Sequence, residues 1–185
     1  MQWTITHSGA NLERHAEQLT MLGSRAPHVL SRALNHEGNK GRTEIRRATG
    51  NTMGLPYGLM VRAIRSTSST PSTLTYMLRA AGGRISLKYF GAREGDGGVK
   101  SKIGFEAQAF IMSGRIGARS PSPKLGGHVY RRITLGDRRW GGAIEKLTGP
   151  SIPDEMMKGE PLAKFRIIPR RLDVRVAHEI TRALQ

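Results

Sequence analysis

Apolar residues in the first third of the chain recur every three or four positions, the spacing that places them on one face of an α-helix. Residues 9–37 fit this pattern as one helix or a broken pair of helices, with Gly23 at the break. A short helical segment then ends at Gly50, with Arg42, Arg46 and Arg47 predicted to point outward, and Pro56 opens another helix. The pattern predicts a mainly helical region over residues 9–65.

After the polar stretch "RSTSSTPST" the period of the apolar positions changes from helical to alternating. "TLTYMLRA" and "GGRISLKYFG" alternate and are joined by Ala-Gly-Gly, which predicts a β-hairpin. Further alternating runs lie within "KIGFEAQAFIM", "HVYRRITL" and "RWGGAIEKL". We expect an antiparallel sheet of four or five strands over residues 73–147, with a long loop near residues 91–102.

The stretch "EKLTGPSIPDEM" joins this sheet to the last helical region. Gly149 and Pro150 are typical of a turn, and Ser151 is a favourable N-cap residue. Pro153 then fixes φ in the first helical turn. The stretch is interpreted as a structural corner.

Residues 151–185 return to helical spacing, with Leu172, Val176, Ile180 and Leu184 four residues apart. Pro169 is expected to break or kink the helical run that precedes it. Helices, then a sheet, then a helix predict an α+β fold. We expect one domain over residues 1–185, with the C-terminal helix packed on the sheet or on a neighbouring subunit.

The charge balance narrows the choice of partner. Thirty Lys and Arg against 14 Asp and Glu give a formal net charge of +16 in 185 residues. Such a surplus indicates contact with an anionic partner such as nucleic acid, an acidic protein or a membrane surface. No window reaches the roughly 18 apolar residues of a membrane-spanning helix, so no membrane partner is predicted.

Catalytic and metal-binding patterns find little support. Cysteine is absent, and the six histidines form no His-x-x-x-His or His-Glu-x-x-His pair. In "GAREGDGGVKSK" Val99 separates the glycine from the lysine, which disagrees with a phosphate-binding loop. Ser151 lies outside a Gly-x-Ser-x-Gly elbow, and adjacent Asp154 and Glu155 diverge by about 100° on a helix. No catalytic, cofactor or metal site is therefore predicted, and a hydrolase using these residues is the weakest hypothesis.

Nucleic-acid binding is a stronger alternative. Residues 79–139 hold thirteen Lys and Arg against four Asp and Glu, interleaved with aromatic residues such as Phe105 and Tyr130. Cations between aromatic rings are typical of a stacking and phosphate-binding face. The same aromatic residues occupy alternating strand positions, where packing in a core is the usual reason. Both interpretations stay open.

The ordered features together resemble the tailed-phage minor tail protein Z family, also called tail completion proteins. The resemblance runs through "APHVLSRALNHEGNKGRTEIRRATG", "NTMGLPYGLMVRAI", "FEAQAFIMSGRIGARSPSPKLGGHVYRR" and "IEKLTGPSIPDEM". It covers residues 25 to 185, and "KLTGPSIPDEM" is its most specific piece.

This resemblance implies a virion structural protein and not an enzyme. Such a protein completes the head-proximal end of the tail and supports head–tail joining, in a neck or tail ring around the DNA channel. By analogy with other neck components, we expect a hexameric ring. Its partners would be tail terminator, tail tube or head-completion proteins, with non-specific contact to channel DNA. Assembly would take place in the bacterial host cytoplasm.

Candidate interface residues follow from the positions of the cations. On the helical segments and the 91–102 loop they are Arg42, Arg46, Arg47, Arg93, Lys100, Lys102, Arg171, Arg175 and Arg182. We expect these side chains to contact subunits or partners by pairing with carboxylates or phosphates.

Overall fold

Two units make up the chain. The computed structural model describes residues 1–112, 126–133 and 143–185. The helical unit comprises residues 1–81 and 152–185, and the β unit comprises residues 82–151. The predicted α+β class is confirmed. That residues 1–185 form a single domain stays a prediction.

The helical unit combines a small sheet with the two longest helices among the described residues. Its elements are β1 (Gln2–Thr6), α1 (Gly9–Arg14), α2 (Ala16–Leu22), a 3-10 turn (Gly23–Arg25), α3 (Ala26–Met53), α4 (Tyr57–Ala63), β2 (Ile64–Thr67), β3 (Thr75–Ala80), α5 (Ile152–Met156) and α6 (Gly159–Leu184).

Helix α3 is longer than predicted. The expected stop at Gly50 is wrong, because this residue is buried within the helix beside Leu55 and Met60. The helix ends instead at Gly54, whose φ of 63° is left-handed and whose N–H donates to the last-turn carbonyls. The start of α4 directly after Pro56 is as predicted.

Helices α3 and α6 pack along most of their lengths. Gly41 permits this approach, since a Cβ there would lie 2.5 Å from Ile168 Cδ1. The predicted apolar face of α6 is buried at Leu172, Val176 and Ile180, whereas Leu184, its fourth member, is exposed. The helix continues across Pro169, so it does not break there, and the alternative expectation of a kink stays a prediction.

Helix α6 also reaches the sheet of the helical unit. The rings of Trp3 in β1 and Phe165 in α6 stack with centroids 4.3 Å apart. The predicted sheet was to lie within residues 73–147, and Trp3 belongs to a strand outside that range, so packing of the C-terminal helix on the predicted sheet or on a neighbouring subunit stays a prediction. The packing against α3 was not predicted.

Strand β3 lies between β1 and β2 in an antiparallel sheet. Trp3 pairs with Leu78 and Ile5 pairs with Tyr76, which places their side chains in the core. The predicted hairpin between β3 and the following strand is therefore wrong. Both edges of β3 are already occupied by β1 and β2.

The β unit contains short antiparallel strands in small sheets. Its elements are β4 (Arg84–Ser86), a 3-10 turn (Leu87–Phe90), β5 (Arg93–Gly95), β6 (Gly98–Ser101), β7 (Gly104–Ala107), β8 (Ala109–Ile111), β9 (Val129–Arg132), β10 (Ile144–Lys146) and β11 (Thr148–Ser151). They pair as β10-β9-β8, β11-β4 and β5-β6-β7 among the described residues.

The β unit differs from the predicted four- or five-stranded sheet in two ways. The run predicted as one strand divides at Gln108, whose positive φ of 56° separates β7 from β8. The loop predicted near 91–102 is wrong, because residues 93–101 form the β5–β6 hairpin. Short strands interrupted by such backbone therefore form several sheets.

The predicted corner is a strand followed by a helix. Gly149 and Pro150 lie within β11, which pairs with β4 with a shift of register between Thr148 and Ser151. Gly149 is required by packing, since a Cβ there would lie 2.8 Å from Phe90 Cε2. The turn predicted at these two residues is wrong.

Helix α5 starts directly after Ser151, and Pro153 lies in its first turn as predicted. Asp154 and Glu155 share that first turn, where the helix dipole favours negative charge. Capping by Ser151 stays a prediction.

Candidate functional site

Cationic side chains follow the exposed edges of α3 and α6 where the two helices meet. Arg32 contacts Glu179 and Glu37 contacts Arg171, so the helices run antiparallel. Helical spacing of three or four residues places each row on one face. We call this surface the basic seam: Arg25, His28, Arg32, His36 and Lys40 from the α3 side, and Arg170, Val174, His178 and Arg182 from α6.

Two open clefts lie along the basic seam. The larger, of about 400 Å³, is lined by His36, Glu37, Lys40, Arg170, Arg171, Val174, Arg175 and His178. The other, of about 350 Å³, is lined by Arg25, His28, Val29, Arg32, Arg182, Ala183 and Gln185. The clefts thus combine cations with exposed aliphatic surface.

Arginine–carboxylate pairs underlie the larger cleft as its floor. Glu37 is 5% exposed and has its Oε2 3.1 Å from Arg171 Nε. Arg171 Nη1 donates to both carboxylate oxygens of the half-buried Glu44 at 2.9 Å. Burial removes Glu37 from water, so an arginine partner is needed to stabilise its charge.

A second ion pair extends the floor toward the C-terminus of α6. Arg175 Nη2 donates to Glu179 Oε1, and Glu179 is 2% exposed. Arg32 Nε lies 3.4 Å from the other oxygen of Glu179. Two arginines therefore share one buried carboxylate, which leaves a positive surplus here.

The outer row of the basic seam lacks this compensation. Within the described part of the chain, Lys40, Arg170, His178 and Arg182 form no ion pair. Counted over both clefts and their floor, seven Lys and Arg face three carboxylates among those residues. The seam is thus a positively charged surface whose carboxylates are internal.

The structure brings three of the predicted interface residues to this seam. Arg171 and Arg175 form its floor, and Arg182 lines the smaller cleft. Whether they contact a partner stays a prediction.

The three predicted arginines of α3 have separate environments. Arg42 is half-buried and donates to Ser66 Oγ at 2.8 Å. Arg46, predicted to point outward, is only 9% exposed and donates to the carbonyl oxygens of Ile64 and Val61. Its outward orientation is therefore a wrong prediction, because the end of α4 needs a donor for its carbonyls. Arg47 is exposed.

The predicted cations of the β unit lie on and beside the β5-β6-β7 sheet. Arg93 pairs directly with Lys100, and Lys100 pairs directly with Phe105, so the three share one face. Phe105 is 58% exposed, with its ring lying over Gly98. Lys102 follows β6 and is exposed. This face carries cations beside an open aromatic ring.

A serine–histidine pair lies elsewhere in the β unit. Ser86 Oγ is 2.7 Å from His128 Nδ1. Burial, followed by the charges of Lys146 and Lys88, lowers the pKa of His128. Among the residues described, no carboxylate hydrogen-bonds this imidazole.

Sequence reasoning missed the α3 side of the basic seam. Arg25, His28, Arg32, His36 and Lys40 recur every three or four residues, a spacing that marks one helix face. The pairing of α3 with α6, which brings Arg170 and His178 beside them, has no local signal in the sequence.

The residues that the structure describes lack two kinds of feature. They contain no group of three or more histidines and carboxylates arranged to hold a metal ion. None of their helices has the length and apolarity required to cross a membrane.

Comparisons with protein-family models, with curated proteins and with solved structures give no match to this chain.

Proposed function

We propose that this chain is a structural virion protein of a tailed phage or prophage. In this proposal it completes the head-proximal end of the tail and supports head–tail joining as part of a ring, with six copies by analogy. It works by contact and not by catalysis. The resemblance to tail completion proteins supports the class of protein.

The distribution of charge is the observation that carries the proposal. The basic seam exposes cations along two rigid helices, while its carboxylates are buried beneath them. Cations fixed on packed helices present a surface that is electrostatically complementary to a negatively charged partner. Acidic neighbouring proteins in an assembly, or DNA in a channel, meet this requirement.

Particle images of the purified protein test the assembly. We expect closed rings, alone or on isolated tail tubes or heads. Monomers at high concentration, together with no binding to tails or heads, would contradict the proposal.

A free nucleic-acid-binding protein is the second candidate function. The shared face of Arg93, Lys100 and Phe105 favours it, because like charges directly opposite on a sheet repel unless an anion lies between them. An exposed ring beside them offers a stacking surface for a base.

Salt dependence separates this alternative from the first proposal. A free nucleic-acid binder holds a labelled oligonucleotide tightly, and the logarithm of its affinity falls steeply and linearly with the logarithm of salt concentration. Phe105→Ala would weaken it, whereas Tyr89→Ala, at another exposed aromatic of the β unit, would serve as control. Weak binding at physiological salt would exclude this function.

A further inference from the structure

We infer that the basic seam is a docking groove for an acidic, partly apolar segment of a different protein. The inference deepens the proposed function and rests on it for the identity of that protein as a neighbouring assembly component. From Arg25 to Lys40 the α3 edge of the groove spans about 22 Å, at 1.5 Å per helical residue. An acidic helix of about 15 residues matches that length.

A second copy of this chain is a poor occupant. Of the 13 Asp and Glu among the described residues, eight already form ion pairs within the chain. The remaining carboxylates are distributed over both units. A copy therefore brings more positive than negative charge to the groove, and two such surfaces repel each other.

The floor of the groove is already arranged for carboxylates. Arg171 is held by Glu37 and Glu44, and Arg175 by Glu179, so the guanidinium groups are fixed before a partner arrives. Arg171 Nη2 and Arg175 Nε are buried and make no hydrogen bond within the described part of the chain. The Arg171 and Arg175 side chains are 25% and 24% exposed, so a carboxylate entering the larger cleft would meet guanidinium groups that are already held in place.

The exposed side chain of Val174 favours a protein segment over a nucleic acid as the occupant of the groove. Val174 is 73% exposed and lines the larger cleft, with Arg170 and His178 four residues away on either side. The phosphate groups of a nucleic acid, which would pair with the neighbouring cations, have no apolar group to cover Val174. A leucine on an amphipathic acidic helix would cover this valine while glutamates reach Lys40 and Arg170, as in helix-in-groove recognition.

The test uses the full chain and a fluorescent peptide of about 15 residues, with leucine at every fourth position and glutamate between. An oligo-dT of equal charge is the competing probe. Lys40→Glu combined with Arg170→Glu removes the outer cations. Arg62→Glu combined with Arg65→Glu makes the same change of charge at exposed positions outside the groove.

We expect the groove variant to lose about tenfold or more in peptide affinity and the control less than about threefold, since long-range attraction falls equally in both. Val174→Ala should weaken peptide binding and leave oligo-dT binding unchanged. Equal losses in groove and control variants, or no peptide binding, would overturn the inference. Oligo-dT binding that is tighter and lost only in the groove variant would assign the groove to nucleic acid instead.

These outcomes are independent of ring formation. If rings form but the peptide does not bind, the docking groove is wrong and the structural role stands. If the peptide binds at the groove but no ring or tail binding is seen, the proposed function fails and the groove stands.

Discussion

The ring of Tyr76 lies directly against the backbone of Gly38. A Cβ at Gly38 would lie 2.5 Å from Tyr76 Cγ, and the ring is fully buried. The Tyr76 hydroxyl donates to Asn39 Oδ1 at 3.0 Å, which fixes the ring along α3. Strand β3 can therefore approach α3 this closely only because position 38 has no side chain.

Gly38→Ala is expected to destabilise the protein. The added methyl group forces the Tyr76 ring or α3 to shift, at a cost of about 1–3 kcal/mol for overpacking. The gain in helix propensity, about 1 kcal/mol, offsets part of this cost. Urea unfolding followed by circular dichroism measures the difference.

Gly58→Ala is the matched control for that substitution. Gly58 is exposed in α4, and an added Cβ meets no atom within 4 Å. We expect it to be neutral or to stabilise by up to about 1 kcal/mol. Similar stabilisation by both substitutions would show that the contact with Tyr76 is not restrictive.

Arg46→Met is expected to destabilise the end of α4. The Arg46 guanidinium donates to the Ile64 carbonyl oxygen, with Nε at 3.0 Å, and to the Val61 carbonyl oxygen at 3.4 Å. Methionine fills similar space but leaves a buried acceptor unsatisfied, which costs about 1–3 kcal/mol. Thermal unfolding of the variant checks this value.

The neighbouring Arg47→Met provides a control with the same change of side chain. Arg47 is exposed, so we expect a change within about 0.5 kcal/mol. If Arg47→Met were the more harmful substitution, the assignment of Arg46 as the structural arginine would be wrong.

Removal of Arg171 is expected to destabilise the protein. Arg171→Met leaves the buried Glu37 and the half-buried Glu44 without their cation. Breaking a fully buried pair costs about 3–5 kcal/mol, and we expect about 2 kcal/mol here because a quarter of the Arg171 side chain is exposed.

A double-mutant cycle with Glu37→Gln tests the physical reason. Removing the charge of Glu37 should recover part of the stability lost in Arg171→Met, so the two effects should not add. If the two changes in the free energy of unfolding simply add in the double variant, Arg171 and Glu37 have no energetic coupling.

The fold could be predicted from sequence where the signal is local. The apolar spacing of α6 correctly placed Leu172, Val176 and Ile180 in the core. Strand pairing could not be predicted, because Ser86 of β4 pairs with Thr148 of β11, far along the chain. The Gly-Gly connection that indicated a hairpin is equally compatible with two strands in different sheets.

The candidate site could likewise be predicted only where the sequence signal is local. Arg171, Arg175 and Arg182 were identified from their helical positions, and the structure places them together. The burial of Arg46 could not be predicted, because its acceptors lie on α4 and the following strand. The seam itself depends on the register between α3 and α6, which is set by long-range packing such as Gly41 against Ile168.

His7 is expected to make stability depend on pH. Its Nε2–H donates to the Leu30 carbonyl oxygen at 3.2 Å, so the other nitrogen, Nδ1, is unprotonated in the neutral ring. Nδ1 is buried and has no hydrogen-bond partner among the described residues. Burial lowers the pKa of His7 below its ordinary value of 6.5, and the hydrogen bond to Leu30 opposes this in part.

The sign of the effect follows from proton linkage. Below pH 6.5 the unfolded chain binds a proton at His7 that the folded chain does not, until the lowered pKa is passed. Stability therefore falls with decreasing pH in that window, by at most about 1.4 kcal/mol per pH unit.

His7→Gln retains a side-chain donor for Leu30 but does not titrate. Chemical unfolding between about pH 7.5 and about pH 5.5 should show a smaller loss of stability in this variant than in the wild type. Identical pH profiles would show that the imidazole of His7 is protonated equally well in the folded and unfolded chain.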